Sequence, residues 1–224
     1  MVETTPDLGG GSPRLYRAVR IVAMFLFKVM FRLEVVGEEH VPTEGGFVLA
    51  PGAHRSILDT PLAAATTPRI LRYMGAEKYF ATPGLGRFLL AVGGFPVERH
   101  MADREALRLS ELILAAGDPL VIFPESTRYQ GPVVAPIKEG AAFLACRAGV
   151  PIVPVGIGGA ERALPIGGRI IRPRKCTIVI GKPIMPPERV AGERVKRSTV
   201  KAISQQLHDS LQELFDQAQI RAGL

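Results

Sequence analysis

The sequence predicts an α/β fold, with one domain built on a largely parallel central sheet flanked by helices. Short β-rich runs alternate with helical patterns of about 10–14 residues, and such alternation implies crossover connections between parallel strands. A hydrophobic content of 47% over 224 residues is enough to form one sizeable core.

The predicted elements follow one another from the first apolar run to the carboxyl terminus. Strands are predicted over 47–50, 94–98, 119–123, 152–157 and 177–180. Helices are predicted over 56–65, 103–116, 137–148 and 196–217, and Gly149 is expected to end the third of them. The last of these helices is amphipathic and is expected to cover one face of the sheet.

The amino-terminal segment, residues 1–32, is predicted to be a basic and aromatic helix that precedes a catalytic domain over 33–224. Its longest uncharged stretch, Ile21–Phe27, is far shorter than the roughly 20 residues that a spanning helix needs. Basic and aromatic residues alternate in it: Arg14, Arg17, Phe25, Phe27, Lys28, Phe31 and Arg32. This pattern predicts a helix lying in a membrane interface, and the alternative is an ordinary helix packed on the core.

Charge and cysteine content narrow the classes of partner. The net charge of +7 favours an anionic partner, whereas the 6% aromatic content and the absence of tryptophan argue against nucleic acid. Cys146 and Cys176 have no second thiol or histidine at ligand spacing. We therefore expect neither a disulfide nor a metal site, and a reducing cytoplasm fits.

His54 and Asp59 follow the first predicted strand within the run PGAHRSILDT. A structural interpretation makes Ser56 and Asp59 a capping-box-like start of the next helix, or Thr60 the cap with Pro61 in the first helical position. A chemical interpretation makes Asp59 orient one nitrogen of His54, which leaves the other nitrogen free to accept a hydroxyl proton. The spacing permits both.

Further polar residues follow the other predicted strands. Arg99 ends the second strand, and Glu125, Ser126, Thr127 and Arg128 follow the third. Because the carboxyl ends of parallel strands share one edge of the sheet, these groups are expected to converge with His54 there. Hydroxyl, backbone N–H and guanidinium groups together suit a phosphate, and Lys138 adds a positive charge.

Four motifs occur in order along the chain: H-x-x-x-x-D, G-x-F-P-V-x-R, F-P-E-S-T-R and V-P-I-V-P-V. Together they closely resemble the four blocks of the glycerolipid acyltransferase family, particularly its bacterial 1-acylglycerol-3-phosphate acyltransferases. The resemblance covers about residues 33–187.

The resemblance implies a glycerol-3-phosphate acyltransferase-like fold and acyl transfer from a thioester to a lysophosphatidic acid hydroxyl. It implies that His54 is the general base, that Asp59 is its partner, and that Arg99 and 125–128 form the glycerol-phosphate site. It further implies acyl-CoA or acyl carrier protein as co-substrate without a cofactor, and monotopic attachment to the cytoplasmic face of the membrane.

Two residues depart from the family pattern. Ala53 stands where many members have asparagine, and Ser126 stands where glycine is usual. The second departure keeps another lysolipid or glycolipid acceptor open. A non-catalytic lipid-binding protein is the alternative from another functional class, and the intact His54 and Asp59 pair argues against it.

Overall fold

The computed structural model describes residues 12–97, 102–188 and 194–224, and within these ranges it contains a seven-stranded sheet. The strands are β1 (Glu34–Val36), β2 (Val48–Gly52), β3 (Arg72–Ala76), β4 (Gly94–Val97), β5 (Leu120–Val121), β6 (Ile152–Gly158) and β7 (Thr177–Ile180). Their order across the sheet is β1-β7-β6-β2-β5-β3-β4.

The prediction of a largely parallel sheet is confirmed. β6, β2, β5, β3 and β4 form consecutive parallel pairs, and β1 is parallel to β7. The pairing of β6 with β7 is antiparallel. Because β2, β5 and β6 are central and parallel, the loops that follow them leave the sheet at the same edge.

The helices are α1 (Pro13–Phe31), α2 (Asp59–Ala63), α3 (Glu77–Phe80), α4 (Leu85–Ala91), α5 (Ala102–Ala115), α6 (Gly140–Ala148), α7 (Ala160–Ala163) and α8 (Arg197–Ala222). Short 3-10 turns occur at Glu38–His40 and Ala64–Thr66. The helix predicted over 56–65 begins later, at Asp59. The helix predicted over 196–217 continues to Ala222, and Gly223 ends it in the left-handed conformation.

Alternate residues of the central strands pack into two hydrophobic layers, as expected for a sheet covered on both faces. Helices α5, α6 and α8 cover one face, where Leu207, Leu211 and Phe215 of α8 lie in the core. Helices α1, α2 and α7 cover the other face. Glycines in β6 allow α8 to approach closely, because a Cβ on Gly156 would collide with the backbone at Leu214.

Helix α1 packs on the core through part of the aromatic set that the sequence assigned to a membrane interface. Phe27 and Phe31 are buried, as is Tyr16, whose hydroxyl donates to the carbonyl of Arg69 at 3.1 Å. The expectation that both of these phenylalanines reach a membrane is therefore wrong, because they form part of the hydrophobic layer beneath α1.

The opposite side of α1 is exposed and apolar. Its exposed hydrophobic residues are Leu15, Ile21, Val22, Phe25, Leu26 and Val29. Four basic residues, Arg14, Arg17, Lys28 and Arg32, are exposed as well. At 100° per residue, these basic residues border the apolar side along one flank of the helix.

Candidate active site

His54 and Asp59 are in contact at the carboxyl end of β2. The Nδ1 atom of His54 lies 2.9 Å from Oδ2 of Asp59. The Asp59 side chain is 2% exposed and that of His54 is 16% exposed, so the histidine is the member of the pair that reaches solvent. Since a carboxylate only accepts hydrogen bonds, Nδ1 is the donor, and in the neutral form of the imidazole Nε2 carries the lone pair.

The same carboxylate oxygen also holds the turn that precedes α2. Oδ2 of Asp59 accepts the backbone N–H groups of Arg55 at 2.7 Å and Ser56 at 2.8 Å. Ser56 Oγ accepts the N–H of Leu58 at 3.2 Å and donates to the carbonyl of Leu164 at 2.7 Å. Neither Ser56 nor Thr60 is the N-cap of α2, which is Leu58 and makes no side-chain cap bond. The bonds between Ser56 and Asp59 instead stabilise the turn before the helix, and they fix the carboxylate that orients the histidine.

Glu125 connects the loop after β5 to the loop that carries His54. Its Oε2 accepts the backbone N–H of His54 at 2.6 Å, and its Oε1 accepts the N–H of Ala135 at 2.8 Å. The side chain is buried, with 5% of its surface exposed. The sequence grouped Glu125 with the substrate-binding residues, whereas these contacts give its carboxylate a positioning role.

Phe123 and Tyr129 complete the surroundings of His54. The Phe123 ring packs against the imidazole, with centroids 4.2 Å apart and planes inclined by 31°. The N–H of Tyr129 donates to the carbonyl of His54 at 2.9 Å. The backbone of His54 is thus held by hydrogen bonds at both its N–H and its carbonyl.

Arg55 is a buried residue of the site to which the sequence analysis gave no role. It is 4% exposed, and its guanidinium donates to the carbonyls of Val133 at 2.9 Å and Tyr129 at 3.4 Å. The group also lies 4.6 Å from the ring centroid of Phe215 in α8. Arg55 therefore holds the 129–133 loop beside the histidine, and only its adjacency to His54 marked it in the sequence.

Both departures from the family pattern occupy left-handed backbone positions. Ala53 has φ +56° and Ser126 has φ +63°. Asparagine and glycine are the residues that adopt this region most readily, whereas alanine and serine adopt it at a cost. The chain thus keeps left-handed turns on both sides of the site despite the substitutions.

Four of the residues predicted to bind phosphate lie in or next to the turn after β5. Ser126, Thr127 and Arg128 are exposed in the turn after β5, and Lys138 is exposed before α6, with its N–H donating to the carbonyl of Pro124. Arg99 lies outside the described residues. It follows β4, which is separated from β5 by β3.

Two cavities adjoin the site, one on each face of the sheet. The first, between α5 and α6, has a volume of about 330 Å³ and combines the polar residues Ser126 and Lys138 with an apolar wall. The second, beneath α1, has a volume of about 320 Å³. Its lining is largely apolar and includes Ala23, Pro61, Tyr73, Phe88 and Val92.

The two tyrosines that line the α1 cavity have perturbed hydroxyl groups. Burial raises the pKa of Tyr16 and raises that of Tyr73 well above its ordinary value. The Tyr73 hydroxyl donates to the carbonyl of Thr60 at 3.4 Å. Both hydroxyls are therefore neutral near pH 7, which suits an apolar chamber.

Neither metal ligation nor a membrane span is evident in the parts of the chain that the structure describes. Within 12–97, 102–188 and 194–224, no cluster of three or more histidine, cysteine, aspartate or glutamate side chains is placed to hold a metal. The same ranges contain no helix whose length and apolar character would let it cross a bilayer.

Comparison with known proteins identifies relatives of this chain. The Acyltransferase family model matches residues 32–158. A 1-acyl-sn-glycerol-3-phosphate acyltransferase of Bacillus subtilis is 28% identical over 153 residues, which are 68% of this chain and 73% of that protein. One from Chlamydomonas reinhardtii is 28% identical over 166 residues, which are 73% of this chain but 49% of that protein.

A solved structure shows the same fold. The crystal structure of the Thermotoga maritima 1-acyl-sn-glycerophosphate acyltransferase PlsC has a TM-score of 0.72 and 24% identity, and the match covers 89% of this chain and 79% of that one. The family match spans more than half of this chain and includes strands β2, β5 and β6 together with the loops that follow β2 and β5. This protein is therefore a member of the acyltransferase family.

Proposed function

We propose that this protein transfers a fatty acyl group from a thioester to the free hydroxyl of 1-acylglycerol-3-phosphate, which yields phosphatidic acid. The observation that carries the proposal is the 2.9 Å contact of His54 with Asp59, beside exposed hydroxyl and basic groups suited to a phosphate. The names of the Bacillus and Chlamydomonas relatives support the same acceptor.

His54 serves as the general base in this proposal. Its Nε2 takes the proton of the acceptor hydroxyl while the oxygen attacks the thioester carbonyl, so that a C–O bond forms. The C–S bond then breaks, and the leaving thiolate receives the proton from His54. Acyl-CoA and acyl carrier protein thioesters both satisfy this scheme.

A direct attack fits the surroundings of His54 better than a covalent acyl-enzyme. Ser56 is the hydroxyl next to the pair, and its Oγ donates to the carbonyl of Leu164 instead of to the histidine. Cys146 and Cys176 are both buried. A nucleophile that His54 could activate is therefore not evident among the described residues.

The polar turn after β5 is the proposed phosphate site. Arg128 supplies a planar fork of donors, Thr127 and Ser126 supply hydroxyls, and Lys138 adds charge from the next helix. Arg99 is proposed as a second fork. Glu125 contributes by holding the turn against His54, through the two hydrogen bonds that its carboxylate accepts.

The two cavities are proposed to accept the aliphatic chains. The α5–α6 cavity has Ser126 and Lys138 in its lining beside apolar residues, which suits the amphipathic acceptor. The α1 cavity is lined by Thr60 and Pro61, directly after Asp59, and its apolar wall suits the acyl chain of the thioester.

Peripheral attachment to an anionic membrane through α1 is part of this proposal. Phe25 is 66% exposed and Val22 is 59% exposed on the outer side of the helix, and basic residues border that side. Exposed apolar residues with a basic flank favour a position in the interface. Deleting the helix would also remove Phe27 and Phe31 from the core. The test therefore measures the vesicle binding of Phe25→Ser and Val22→Ser instead.

An assay with lysophosphatidic acid and acyl-CoA, with the product identified by mass spectrometry, tests the activity. The wild type is expected to form phosphatidic acid, and His54→Ala is expected to be inactive while remaining folded. His208→Ala on α8 is the matched control and is expected to be active. Turnover only with another lysolipid would change the assigned acceptor. Thioester consumption that needs no acceptor would refute the proposal, and so would the absence of any thioester consumption.

A further inference from the structure

The segment between α7 and β7 presents exposed isoleucines among arginines. This segment, residues 165–175, is named the arginine loop here. Ile170 is 75% exposed and Ile171 is 44% exposed, although isoleucine is among the most frequently buried residue types. Arg169 and Arg172 flank this pair directly.

Hydrogen bonds at both ends place the arginine loop beside the catalytic segment and α1. The carbonyl of Leu164, just before the loop, accepts from Ser56 Oγ at 2.7 Å. The N–H of Cys176, just after the loop, donates to the carbonyl of Phe31 at 2.9 Å. Within the loop, the N–H of Arg172 donates to the carbonyl of Ala163 at 2.8 Å. The isoleucine pair therefore projects from a fixed base.

Most of the positive charge of the arginine loop has no acidic partner among the residues that the structure describes. Arg169, Arg172 and Arg174 are exposed, and none of them forms an ion pair with any residue that the structure describes. Lys175 is paired, through its 2.7 Å contact with Glu34. The sequence contains no aspartate or glutamate between Glu161 and Glu188, so no acidic neighbour along the chain offsets these arginines.

We infer that the arginine loop is a second docking element for an anionic lipid surface. Exposed isoleucines that insert between headgroups, beside arginines that contact lipid phosphates, give one patch both components of interfacial binding. The end of the loop is bonded to the end of α1, and its start is bonded to Ser56 near His54. Contact at both α1 and the loop would therefore fix the orientation of the site towards the bilayer.

This inference rests on the proposal that the acceptor is in a membrane, but it does not depend on the chemistry at His54. An acidic protein surface, such as that of a carrier protein, could also contact arginines. The exposed isoleucines favour lipid, because an acidic protein surface would match the arginines but not these apolar side chains.

Vesicle sedimentation of the full-length protein tests the inference. The probe is phosphatidylglycerol–phosphatidylcholine vesicles, with pure phosphatidylcholine vesicles as the uncharged comparison. Ile170→Ser/Ile171→Ser and Arg169→Ser/Arg172→Ser are each expected to lower the partition constant on the anionic vesicles by roughly tenfold. Ile220→Ser on α8 is the matched control, since Ile220 is 72% exposed and lies on the helix that covers the other face of the sheet.

Activity measurements separate this inference from the proposed function. The loop variants are expected to retain wild-type turnover on detergent-dispersed lysophosphatidic acid and to lose it on vesicle-borne acceptor. Unchanged partition of both loop variants would overturn the inference, even if Phe25→Ser lowers binding. Unchanged partition combined with a selective loss of turnover on acyl carrier protein thioesters would also overturn it, and would identify the loop as a surface for the protein donor.

Discussion

The backbone N–H of His54 donates a 2.6 Å hydrogen bond to Oε2 of Glu125, two residues that are 71 positions apart in the chain. This bond joins the loop after β2 to the loop after β5, and the second oxygen of Glu125 holds Ala135 in the same way. His54, the proposed general base, and the proposed phosphate turn are therefore connected through one buried carboxylate. A change at Glu125 is expected to displace His54 above all, because the backbone N–H of His54 depends on this carboxylate.

Replacing Glu125 with glutamine is expected to lower kcat by roughly tenfold or more while changing the acceptor KM by less than about twofold. The amide oxygen can accept from only one of the two N–H groups, so a buried donor loses its partner, which costs about 1–3 kcal/mol of folding stability. Steady-state kinetics and thermal unfolding measure the two effects. A large rise in KM with unchanged kcat would instead show that the carboxylate contacts the acceptor.

Arg128 is expected to give the opposite kinetic pattern. Because its side chain is exposed and has no described hydrogen bond to the core, Arg128→Ala is expected to leave the fold intact and to remove only the proposed contacts with the acceptor. The KM for lysophosphatidic acid is expected to rise roughly tenfold, equivalent to about 1.4 kcal/mol, with kcat nearly unchanged. Arg147→Ala is a control, since Arg147 lies on α6 and pairs with Glu111. An unchanged KM would place the phosphate elsewhere.

Much of this fold could be predicted from the sequence because its central strands are apolar runs separated by helices. β3 and β1 were not predicted, for a physical reason. β3 begins with Arg72, contains Gly75, and is defined by pairing with β5 and β4. β1 has three residues and pairs with β7, which comes more than 140 positions later. Neither strand has an apolar run of its own, so pairing with its neighbours defines it and local pattern gives little signal.

The candidate site was predictable in its residue types but not in all its roles. The spacing of His54 and Asp59 permitted the contact that the structure shows. The commitment of Glu125 to two backbone groups depends on how the β2 and β5 loops approach each other, which only the folded chain determines. The burial of Arg55 depends in the same way on the approach of α8.

Ser126→Gly is expected to stabilise the protein. The left-handed backbone of Ser126, at φ +63°, costs about 1–2 kcal/mol, which glycine would largely avoid. The greater entropy of glycine in the unfolded chain offsets part of this stabilisation. A net rise of about 0.5–1 kcal/mol in unfolding free energy corresponds to a rise in Tm of roughly 1–4 °C. Ser210→Gly, in the interior of α8, is the control and is expected to lower Tm.

The Cys176 thiol is expected to resist alkylation in the native protein. Burial raises its pKa to about 12 from the ordinary value of 9.0, so it stays protonated near neutral pH. In a Cys146→Ser background, iodoacetamide at pH 8 is expected to react at least roughly 100-fold more slowly in buffer than in denaturing urea. The thiol of the unfolded chain ionises at a lower pH than the buried thiol of the folded protein. Its contribution to folding stability is therefore complete below pH 9 and declines as the pH rises towards 12. Equal labelling rates would contradict the burial.

The two cavities give a final prediction, because each contains an alanine that a larger side chain can replace. Ala23 of α1 lines the cavity beneath that helix, and Ala106 of α5 lines the cavity that includes Ser126 and Lys138. In Ala23→Phe, the ring is expected to occupy part of the α1 cavity and shift the donor preference towards shorter acyl-CoA chains. In Ala106→Phe, the donor preference is expected to persist while the KM for long-chain lysophosphatidic acid rises.

Competition among short, medium and long acyl-CoA donors at one fixed acceptor measures the first effect. Acceptor KM across lysophosphatidic acids of different chain length measures the second. The two substitutions add the same volume on opposite faces of the sheet, so each is the matched control for the other. Exchange of the two phenotypes would reverse the assignment of the cavities. Equal effects on both substrates would show that the two chains share one cavity.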